Sequence, residues 1–320
     1  MGKPHNPRRG SMQFWPRKRA KHSLARIRAW APNSKPKVLG FIGYKAGMTH
    51  IHIVDQRPKS LTKGEKIFMP VTIVECPPMT VYGVSFYKKG LLGSKKITSI
   101  FAKKLSKELA KKLQLPKNTK KSIDEVSEFE DLRLLIHSNP AQTGIGVKKP
   151  KLLEFALGGS KEEKLNYVKE ILGKEINISD VFEAGESVDA HGITKGKGFQ
   201  GTVKRFGVPI RQHKSEKTKR GIGNLGAWTP KRVDFRVPQA GKMGYHLRTD
   251  HNKQIIKVAQ EGQEITPNGG IKNYGVVKSN YVLVSGSVMG PKKRALVLTH
   301  PIRPNAKILS VKPDINYVKV

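Results

Sequence analysis

Short apolar runs rich in Val and Ile, bounded by glycine, proline and other turn residues, recur in the first and the last third of the chain. These runs lie at residues 38–44, 51–54, 71–76, 82–86, 254–258, 281–288 and 295–299. Runs of this length and composition with turn signals at their ends are typical of β-strands. Because helical patterns do not alternate with them, the pattern favours a β-barrel or a β-sandwich over βαβ units.

Helical patterns are confined to the middle of the chain. Ser160 and Glu163 have the spacing of a capping box, and Gly173 supplies a stop signal at the other end. The apolar stripe between them is formed by Leu165, Val168, Ile171 and Leu172. A second, more basic helix is predicted from the spacing of Leu105, Leu109 and Leu113. The predicted sheet is therefore interrupted by a helix-containing insertion at residues 88–174.

The segment 192–253 matches neither pattern. Its glycines are dense, and apolar residues such as Phe199, Phe206, Ile222 and Leu225 stand singly between lysines and arginines. Ordering each residue of a loop costs about 1 to 2 kcal/mol of backbone entropy, so a long loop with little core-forming material needs an external partner. A folded RNA is such a partner, since its phosphates neutralise the cations and glycine lets the backbone approach closely.

The charge of the chain also calls for a polyanionic partner. Lys and Arg total 61 against 24 Asp and Glu, which gives a net charge of +37. Residues 1–54 carry twelve Lys and Arg and no acidic residue, and residues 192–253 carry fifteen against three acidic residues. Residues 124–186 instead have a net charge of −5, so this middle stretch is expected to face solvent or protein.

Several other classes of protein are excluded by composition. No apolar stretch approaches the length that spans a bilayer, and no apolar segment follows the basic amino terminus, so neither a membrane helix nor a secretory signal is expected. Cys76 is the single cysteine, which argues against a disulfide framework or a multi-cysteine zinc site and suits a reducing cytoplasm. We interpret it as a small buried residue of a strand. No cofactor, metal ion or small-molecule substrate is predicted.

Aromatic residues accompany the cations. Phe14, Trp15, Trp30 and Phe206 lie close to arginines in sequence, and this mixture supplies phosphate neutralisation together with stacking surfaces for bases. Trp228 is the clearest case, because the small and turn residues around it predict a loop that presents the indole. The alternative is a core tryptophan, since tryptophan is highly buried on average.

Two other functions compete with a structural RNA-binding role. An RNA-processing or RNA-modifying enzyme would use an acid–base set drawn from His191, His213, His246, His251, Asp189, Asp234 and Asp250. Their spacing lacks the regularity of a metal site, and histidines in a basic segment more often donate to phosphates or bases. A free RNA chaperone is the other alternative, and it would show no preference for an rRNA fragment at moderate salt.

A set of short motifs carries a resemblance to a known family. The motifs are RGS at 9–11 followed by Phe14 and PRKR at 16–19, GYKAGMT at 43–49, PVTIVE at 70–75, GITKGKGFQG at 192–201, GAW at 226–228, and residues 241–249. In this order they resemble the ribosomal protein L-three family in its archaeal and eukaryotic form. The resemblance covers residues 9 to about 250, and the string at 192–201 is highly specific.

The resemblance implies a mixed, β-rich α+β fold: a closed β-barrel of the translation-protein type, an inserted α/β region and two long basic extensions that penetrate large-subunit rRNA. The implied boundaries are 1–37 for the N-terminal arm, 38–87, 175–190 and 254–320 for the barrel, 88–174 for the insertion, and 191–253 for the central finger. In the family, the finger carries a tryptophan towards the peptidyl transferase centre, and Trp228 occupies that motif position. Eukaryotic relatives have a histidine where this chain has Lys219, so the modified histidine of that branch is not expected here.

We therefore predict a structural constituent of the large ribosomal subunit, located in the cytoplasm, that has no catalytic residue. It is expected to support assembly and to organise the region near the peptidyl transferase centre. Its predicted partners are large-subunit rRNA and neighbouring ribosomal proteins, and Trp228 is the predicted finger tip. The predicted rRNA-binding residues are Arg17, Lys18, Arg19, Lys21, Arg26, Arg28, Lys195, Lys197, Lys204, Arg205, Arg211, His213, Lys214, Lys217, Lys219, Arg220, Lys231, Arg232, Arg236 and Arg248.

Overall fold

The computed structural model describes residues 10–91, 93–116, 122–215, 217–306 and 312–319, so Arg9 of the predicted RGS motif lies outside the described residues. The fold is a β-rich α+β fold. Its strands are β1 Gly40–Val54, β2 Lys66–Glu75, β3 Met79–Gly90, β4 Gly93–Phe101, β5 Asp131–Ser138, β6 Leu152–Ala156, β7 Glu175–Ile176, β8 Ser187–Ile193, β9 Phe199–Gln200, β10 Gly241–Lys242, β11 Leu247–Ala259, β12 Tyr281–Ser285, β13 Ala295–Thr299 and β14 Ile315–Val318. Its α-helices are α1 Lys161–Ile171 and α2 Thr202–Phe206. Short 3-10 turns occur at Met12–Phe14, Leu109–Lys111, Pro140–Gln142, Ile178–Asp180 and Gly262–Ile265.

The chain divides into two compact units. The cationic unit comprises Met1–Ser23 and Ile193–Leu247, and the sheet unit comprises Leu24–Gly192 and Arg248–Val320. Both large sheets belong to the sheet unit. No helix among the described residues is long and apolar enough to cross a membrane.

The larger sheet has seven strands in the order β13-β8-β11-β12-β2-β1-β14, and β13 also pairs with β1. The pairings of β1 are antiparallel: Gly40–Tyr44 face β13, and a longer stretch from Tyr44 to Val54 faces β2. The second sheet has the order β4-β3-β5-β6, with the short β7 alongside β3. The inward side chains of both sheets join one core cluster, which includes Phe41, Phe86 and Phe155.

The predicted helix near residue 160 is confirmed in detail. The Ser160 hydroxyl accepts a bond from the Glu163 backbone N–H, and the Glu163 carboxylate accepts one from the Ser160 N–H at 2.8 Å. This reciprocal pair satisfies two of the donors that the first turn of a helix leaves open. Val168 is buried in the core, and Gly173 follows the helix with a φ of +83°, a conformation that glycine adopts without steric cost.

The predicted helix over residues 105–113 is wrong. Only a 3-10 turn forms at Leu109–Lys111, although Leu109 is buried as its spacing implied. The physical reason lies in the lysines, because Lys103, Lys107 and Lys111 recur every fourth residue and would stack three ammonium groups on one helix face. The sequence analysis also missed α2, which lies at Thr202–Phe206 in the segment 192–253.

The strand predictions are correct in position but incomplete. The runs at 38–44 and 51–54 belong to one long strand, β1, because the polar residues between them still pair with β2. The stretch 88–174, predicted as a helix-containing insertion, holds the three strands β4, β5 and β6 besides α1, so it contains more strand than helix. Cys76 is fully buried directly after β2, and burial raises the pKa of its thiol.

The N-terminal arm becomes part of a core before it reaches β1. Ala25 is buried, while Leu24, Ile27 and Trp30 pack against the main core cluster of the sheet unit. The Trp30 ring lies 5.5 Å from the ring of Phe155. Apolar burial therefore fixes this part of the arm, and its cations Arg26 and Arg28 remain exposed.

His191 makes the stability of the sheet unit depend on pH. Its side chain is 6% exposed, and burial lowers its pKa to about 4, so the folded protein keeps the imidazole neutral between hydroxyls of Thr249 and Thr299. The unfolded chain takes up a proton near pH 6.5, and the free energy of unfolding should therefore fall as the pH drops from about 6.5 to 4. The loss expected from His191 is about 3 kcal/mol at about 1.4 kcal/mol per pH unit, and His300, whose pKa burial also lowers to about 4, contributes a slope that remains in a His191 variant. Urea denaturation across this range measures it, and a His191→Gln variant with an equally steep pH dependence would contradict it.

Candidate nucleic-acid interface

The ends of the central finger pair with each other. β9 and β10 are antiparallel, with Lys242 opposite Phe199. The pairing continues beyond these short strands, because Met243 donates to the Gly198 carbonyl at 2.9 Å and Thr194 donates to the His246 carbonyl at 2.9 Å. The segment that matched no pattern in the sequence is thus held at its base by a two-stranded ribbon.

The N-terminal arm lies along this ribbon. The Ala20 N–H donates to the Tyr245 carbonyl at 2.8 Å, and Nδ1 of His246 donates to the Lys18 carbonyl at 2.8 Å. Nε2 of His246 accepts from the Gly244 N–H at 3.1 Å, so these contacts select the tautomer with its proton on Nδ1. His246 therefore joins the arm to the finger within the cationic unit.

Gly244 allows the two strands of the ribbon to approach each other closely. Its φ is +75°, and a Cβ at this position would lie 2.1 Å from the Lys195 carbonyl oxygen. Any side chain here would clash with backbone and strain the left-handed conformation. Only glycine keeps both strands of the ribbon in place.

An aromatic and guanidinium cluster surrounds Phe206 in the cationic unit. The Trp15 ring meets the edges of Phe206 at 5.4 Å and Phe235 at 6.2 Å between centroids. The guanidinium carbons of Arg17 and Arg205 lie 4.1 and 5.0 Å from the centre of the Phe206 ring. Because Phe206 is buried beneath these groups, it is not the stacking surface for bases that the sequence suggested.

Arg17 and Arg205 organise the unit by binding backbone carbonyls. Arg205 donates to the carbonyls of Lys242 at 3.1 Å, Gln239 at 2.9 Å and Arg17 at 3.3 Å, and Arg17 donates in return to the Arg205 carbonyl. Burial lowers the pKa of Arg205, which remains a cation. These two predicted rRNA-binding residues therefore use hydrogen-bond donors of their guanidinium groups on carbonyls within the protein.

Little else is buried in this unit. Among its described residues, only Ile193, Thr202 and Phe206 are buried. Large apolar side chains stay exposed instead, among them Phe199 and Leu225. The cationic unit thus has almost no apolar interior of its own, in contrast to the sheet unit.

Trp228 lies on an exposed turn. Its side chain is 84% exposed, which rules out the core alternative for this residue. The Asn224 side-chain oxygen accepts from the Gly226 N–H at 2.9 Å, and the Lys231 N–H donates to the Trp228 carbonyl at 2.9 Å. These local bonds shape the turn without covering the indole.

Most of the predicted rRNA-binding side chains are exposed. The exposed members in the cationic unit are Lys18, Arg19, Lys21, Lys195, Lys197, Lys204, Arg211, His213, Lys214, Lys217, Lys219, Arg220, Lys231, Arg232 and Arg236. Arg26, Arg28 and Arg248 belong to the sheet unit, and burial lowers the pKa of Arg248. The cationic unit therefore brings together most, but not all, of the predicted set.

Two of these arginines already have protein partners. Arg236 binds Asp234 through Nε at 3.0 Å and Nη2 at 2.9 Å, and this partner lowers the pKa of Asp234 to about 2. Arg211 donates to the Ile222 carbonyl at 2.6 Å and so holds its own loop. A guanidinium group that is already paired with a carboxylate attracts a phosphate less strongly than an unpaired lysine does, because the carboxylate offsets its charge.

A groove in the cationic unit includes residues that the sequence analysis missed. It has a volume of about 540 Å³ and is lined by Arg19, Lys21, Phe199, Lys242 and Tyr245, among others. Lys242 and Tyr245 were passed over individually, although both lie in the motif at 241–249. The family resemblance therefore pointed to this stretch of sequence. The groove itself could not be predicted, because it forms only where the arm lies against the ribbon.

The histidines do not form an acid–base set. His191 binds two threonine hydroxyls, His246 binds backbone groups, and His251 binds the buried Asp189 carboxylate at 2.8 Å. Asp189 also accepts from the Asn252 N–H at 2.8 Å, so this carboxylate fixes the middle of β11. The described part of the chain contains no group of three or more His, Cys, Asp or Glu residues that could hold a metal ion.

Comparison with known proteins accounts for the whole chain. A family model described as ribosomal protein L3 matches residues 1–318. The large ribosomal subunit protein uL3 of Methanocaldococcus jannaschii is 46% identical over 98% of this chain and 96% of the relative. The proteins of the same name from Methanococcus vannielii and Methanobrevibacter smithii are 47% and 46% identical, over 99% of this chain and 97% and 98% of the relatives. The chain therefore belongs to the ribosomal protein L3 family.

Proposed function

We propose that this chain binds large-subunit rRNA through its cationic unit and supports the subunit near the peptidyl transferase centre. Membership of the family makes it a structural constituent of the large ribosomal subunit and not an enzyme. The observation that carries the rRNA-binding proposal is a contrast among the described residues of one unit: fifteen predicted cationic or histidine side chains are exposed, whereas three residues are buried. Such a unit gains order from phosphates that neutralise its charge.

The proposal assigns a different role to each of the two units. The sheet unit has a conventional apolar core, and the pairing of β13 with both β8 and β1 supports a closed six-stranded barrel. The arm (residues 1–37) and the finger (residues 191–253) are the rRNA-penetrating extensions, with 88–174 as the insertion. Neighbouring ribosomal proteins are the proposed partners of the acidic stretch 124–186.

Stable incorporation into subunits tests this function. The protein should remain in stoichiometric amounts on large subunits purified from cells after a high-salt wash, because a buried, folded RNA interface survives loss of long-range attraction. A protein that the wash removes completely would instead fit the free RNA chaperone. The measurement is quantitative mass spectrometry of washed subunits against a tightly bound ribosomal protein.

Trp228→Ala should change ribosome function while leaving the protein folded. The indole is exposed, so its removal has little effect on stability, whereas loss of a base stack costs about 1 to 3 kcal/mol. We expect slower translation and altered sensitivity to antibiotics that act at the peptidyl transferase centre. Trp228→Phe, which keeps an aromatic face, should restore much of the function. Wild-type translation and drug sensitivity in the alanine variant would contradict the finger-tip role.

A further inference from the structure

An aromatic row crosses three strands of the larger sheet. The register places His52 of β1 opposite Phe68 of β2 on one side and Tyr317 of β14 on the other. The ring centres are 5.9 Å apart for His52 and Phe68, and 5.7 Å apart for His52 and Tyr317. His50, two residues away on the same face of β1, lies 4.6 Å from Phe68. We call these four residues the aromatic platform.

The platform faces outward. Phe68 is 60% exposed and Tyr317 is 55% exposed, although both rings contact a histidine. Ile51 and Ile53, which alternate with the platform histidines along β1, are buried in the second core cluster. Because successive strand residues point to opposite faces, the aromatic residues lie on the face that the core does not need.

The charge around the platform is positive. On β2, the outward positions next to Phe68 are Lys66 and Pro70, and Lys319 follows Tyr317 with its N–H bonded to the His50 carbonyl at 3.1 Å. Lys66 and Lys319 are both exposed. Neither the four platform residues nor Lys66, Pro70 and Lys319 beside them carry a carboxylate. The surface therefore combines aromatic rings with ammonium groups.

We propose that the aromatic platform stacks unpaired bases of rRNA, as a second RNA-binding surface carried by the sheet unit. This inference rests on the proposed rRNA-binding function and adds a surface that lies outside the arm and the finger. The rings meet nearly edge to face, with interplanar angles of 89° for His52 and Phe68 and 70° for His52 and Tyr317, so their faces point in different directions. Such faces suit bases that are splayed out of a stack, and flanking lysines neutralise the phosphates between them.

Charge complementarity favours RNA over a protein partner. A protein interface centre is depleted of charged residues and enriched in apolar ones, whereas two exposed lysines, Lys66 and Lys319, border this row. Histidine, tyrosine and phenylalanine are all side chains on which the splayed-out bases of single-stranded RNA stack. The chain as a whole has a net charge of +37, which attracts RNA and repels basic protein partners.

Ultraviolet cross-linking of intact large subunits that contain this chain tests the proposal. Subunits are irradiated, digested, and searched by mass spectrometry for peptides that carry a nucleotide. We expect adducts on the platform, at His50, His52, Phe68 or Tyr317, and also on the arm or the finger. Adducts on the arm or finger without any on the platform would overturn this inference alone, and their absence from the entire chain would also overturn the proposed function. A platform cross-linked to a peptide of another ribosomal protein, with no nucleotide, would identify a protein partner and refute the proposal.

A matched pair of variants supplies a second test on the purified full chain. The double variant Phe68→Leu and Tyr317→Leu keeps apolar area but removes two ring faces, and the control Leu61→Ala and Ile97→Ala changes exposed side chains elsewhere. The probe is a twelve-nucleotide single-stranded oligoadenylate at about 0.5 M salt, where phosphate contacts are weakened.

The leucine variant should bind oligoadenylate about tenfold or more weakly than wild type, with an unchanged slope of log affinity against log salt, because stacking releases no counterions. The control should bind as wild type does. Equal affinity of the leucine variant and the wild type would refute stacking, since leucine would serve a purely apolar contact equally well. Circular dichroism of each variant verifies that the sheet is intact.

Discussion

Replacing Lys217, Lys219, Lys231 and Arg232 by glutamine should weaken binding to a large-subunit rRNA fragment by about 1000-fold at about 0.1 M salt. All four side chains are exposed in the cationic unit, and no described carboxylate forms an ion pair with any of them. They differ in this from Arg236, whose charge Asp234 already balances. The measurement is a titration of purified protein against the fragment at several salt concentrations.

The size of this effect follows from counterion release. Each phosphate that a lysine or arginine neutralises frees about 0.7 to 0.9 of a condensed cation, so four lost contacts lower the salt slope by about three to four. Affinities of the wild type and the variant should therefore converge towards 1 M salt. A hydrogen-bonded or apolar interface would keep a constant ratio between the two proteins.

A control of equal charge separates a specific surface from overall charge. Lys95, Lys103, Lys104 and Lys107 are exposed lysines of the sheet unit outside the predicted site, and their replacement by glutamine lowers the net charge from +37 by the same amount. We expect this variant to bind the rRNA fragment within about tenfold of wild type. Equal losses in both variants would show that total charge drives binding, as in a free RNA chaperone.

Local signals in the sequence predicted the elements whose structure depends on local bonds. The capping box of Ser160 and Glu163 and the stop at Gly173 gave α1, since each acts within one helical turn. β4 was missed because Lys95 and Lys96 interrupt its apolar pattern. Pairing with β3 stabilises β4, and a partner distant in sequence cannot be deduced from the strand alone.

The candidate site was predictable in composition but not in the roles of individual residues. Charge and glycine content located the exposed cations correctly, because a basic side chain without a nearby partner stays in water. The same reasoning assigned Arg17 and Arg205 to phosphate, although both bind carbonyls and cover Phe206. Which basic side chains bind protein carbonyls instead of phosphate depends on the contact between the arm and the finger. These two segments are distant in sequence, so no local pattern predicts that contact.

Glu75→Ala should lower the free energy of unfolding by about 3 to 5 kcal/mol, because several buried donors lose the acceptor they share, at about 1 to 3 kcal/mol for each donor left unsatisfied. The Glu75 side chain is fully buried at the end of β2. One carboxylate oxygen accepts from the Lys278 N–H at 2.7 Å, and from the Ser279 N–H and hydroxyl at 3.1 and 3.0 Å. The other accepts from the Tyr274 hydroxyl, whose pKa is raised by burial and by the nearby carboxylate.

Removal of this carboxylate leaves buried donors without acceptors and releases the segment that leads into β12. Glu75→Gln replaces one acceptor oxygen by a donor and should cost about 2 kcal/mol, so it remains measurable if the alanine variant does not fold. Glu65→Ala, at an exposed site just before β2, is the matched control and should change stability by less than about 0.5 kcal/mol. A double-mutant cycle with Tyr274→Phe measures the coupling between the hydroxyl and the carboxylate. If urea denaturation gives Glu75→Ala the same stability as Glu65→Ala, the carboxylate does not hold this segment to the sheet.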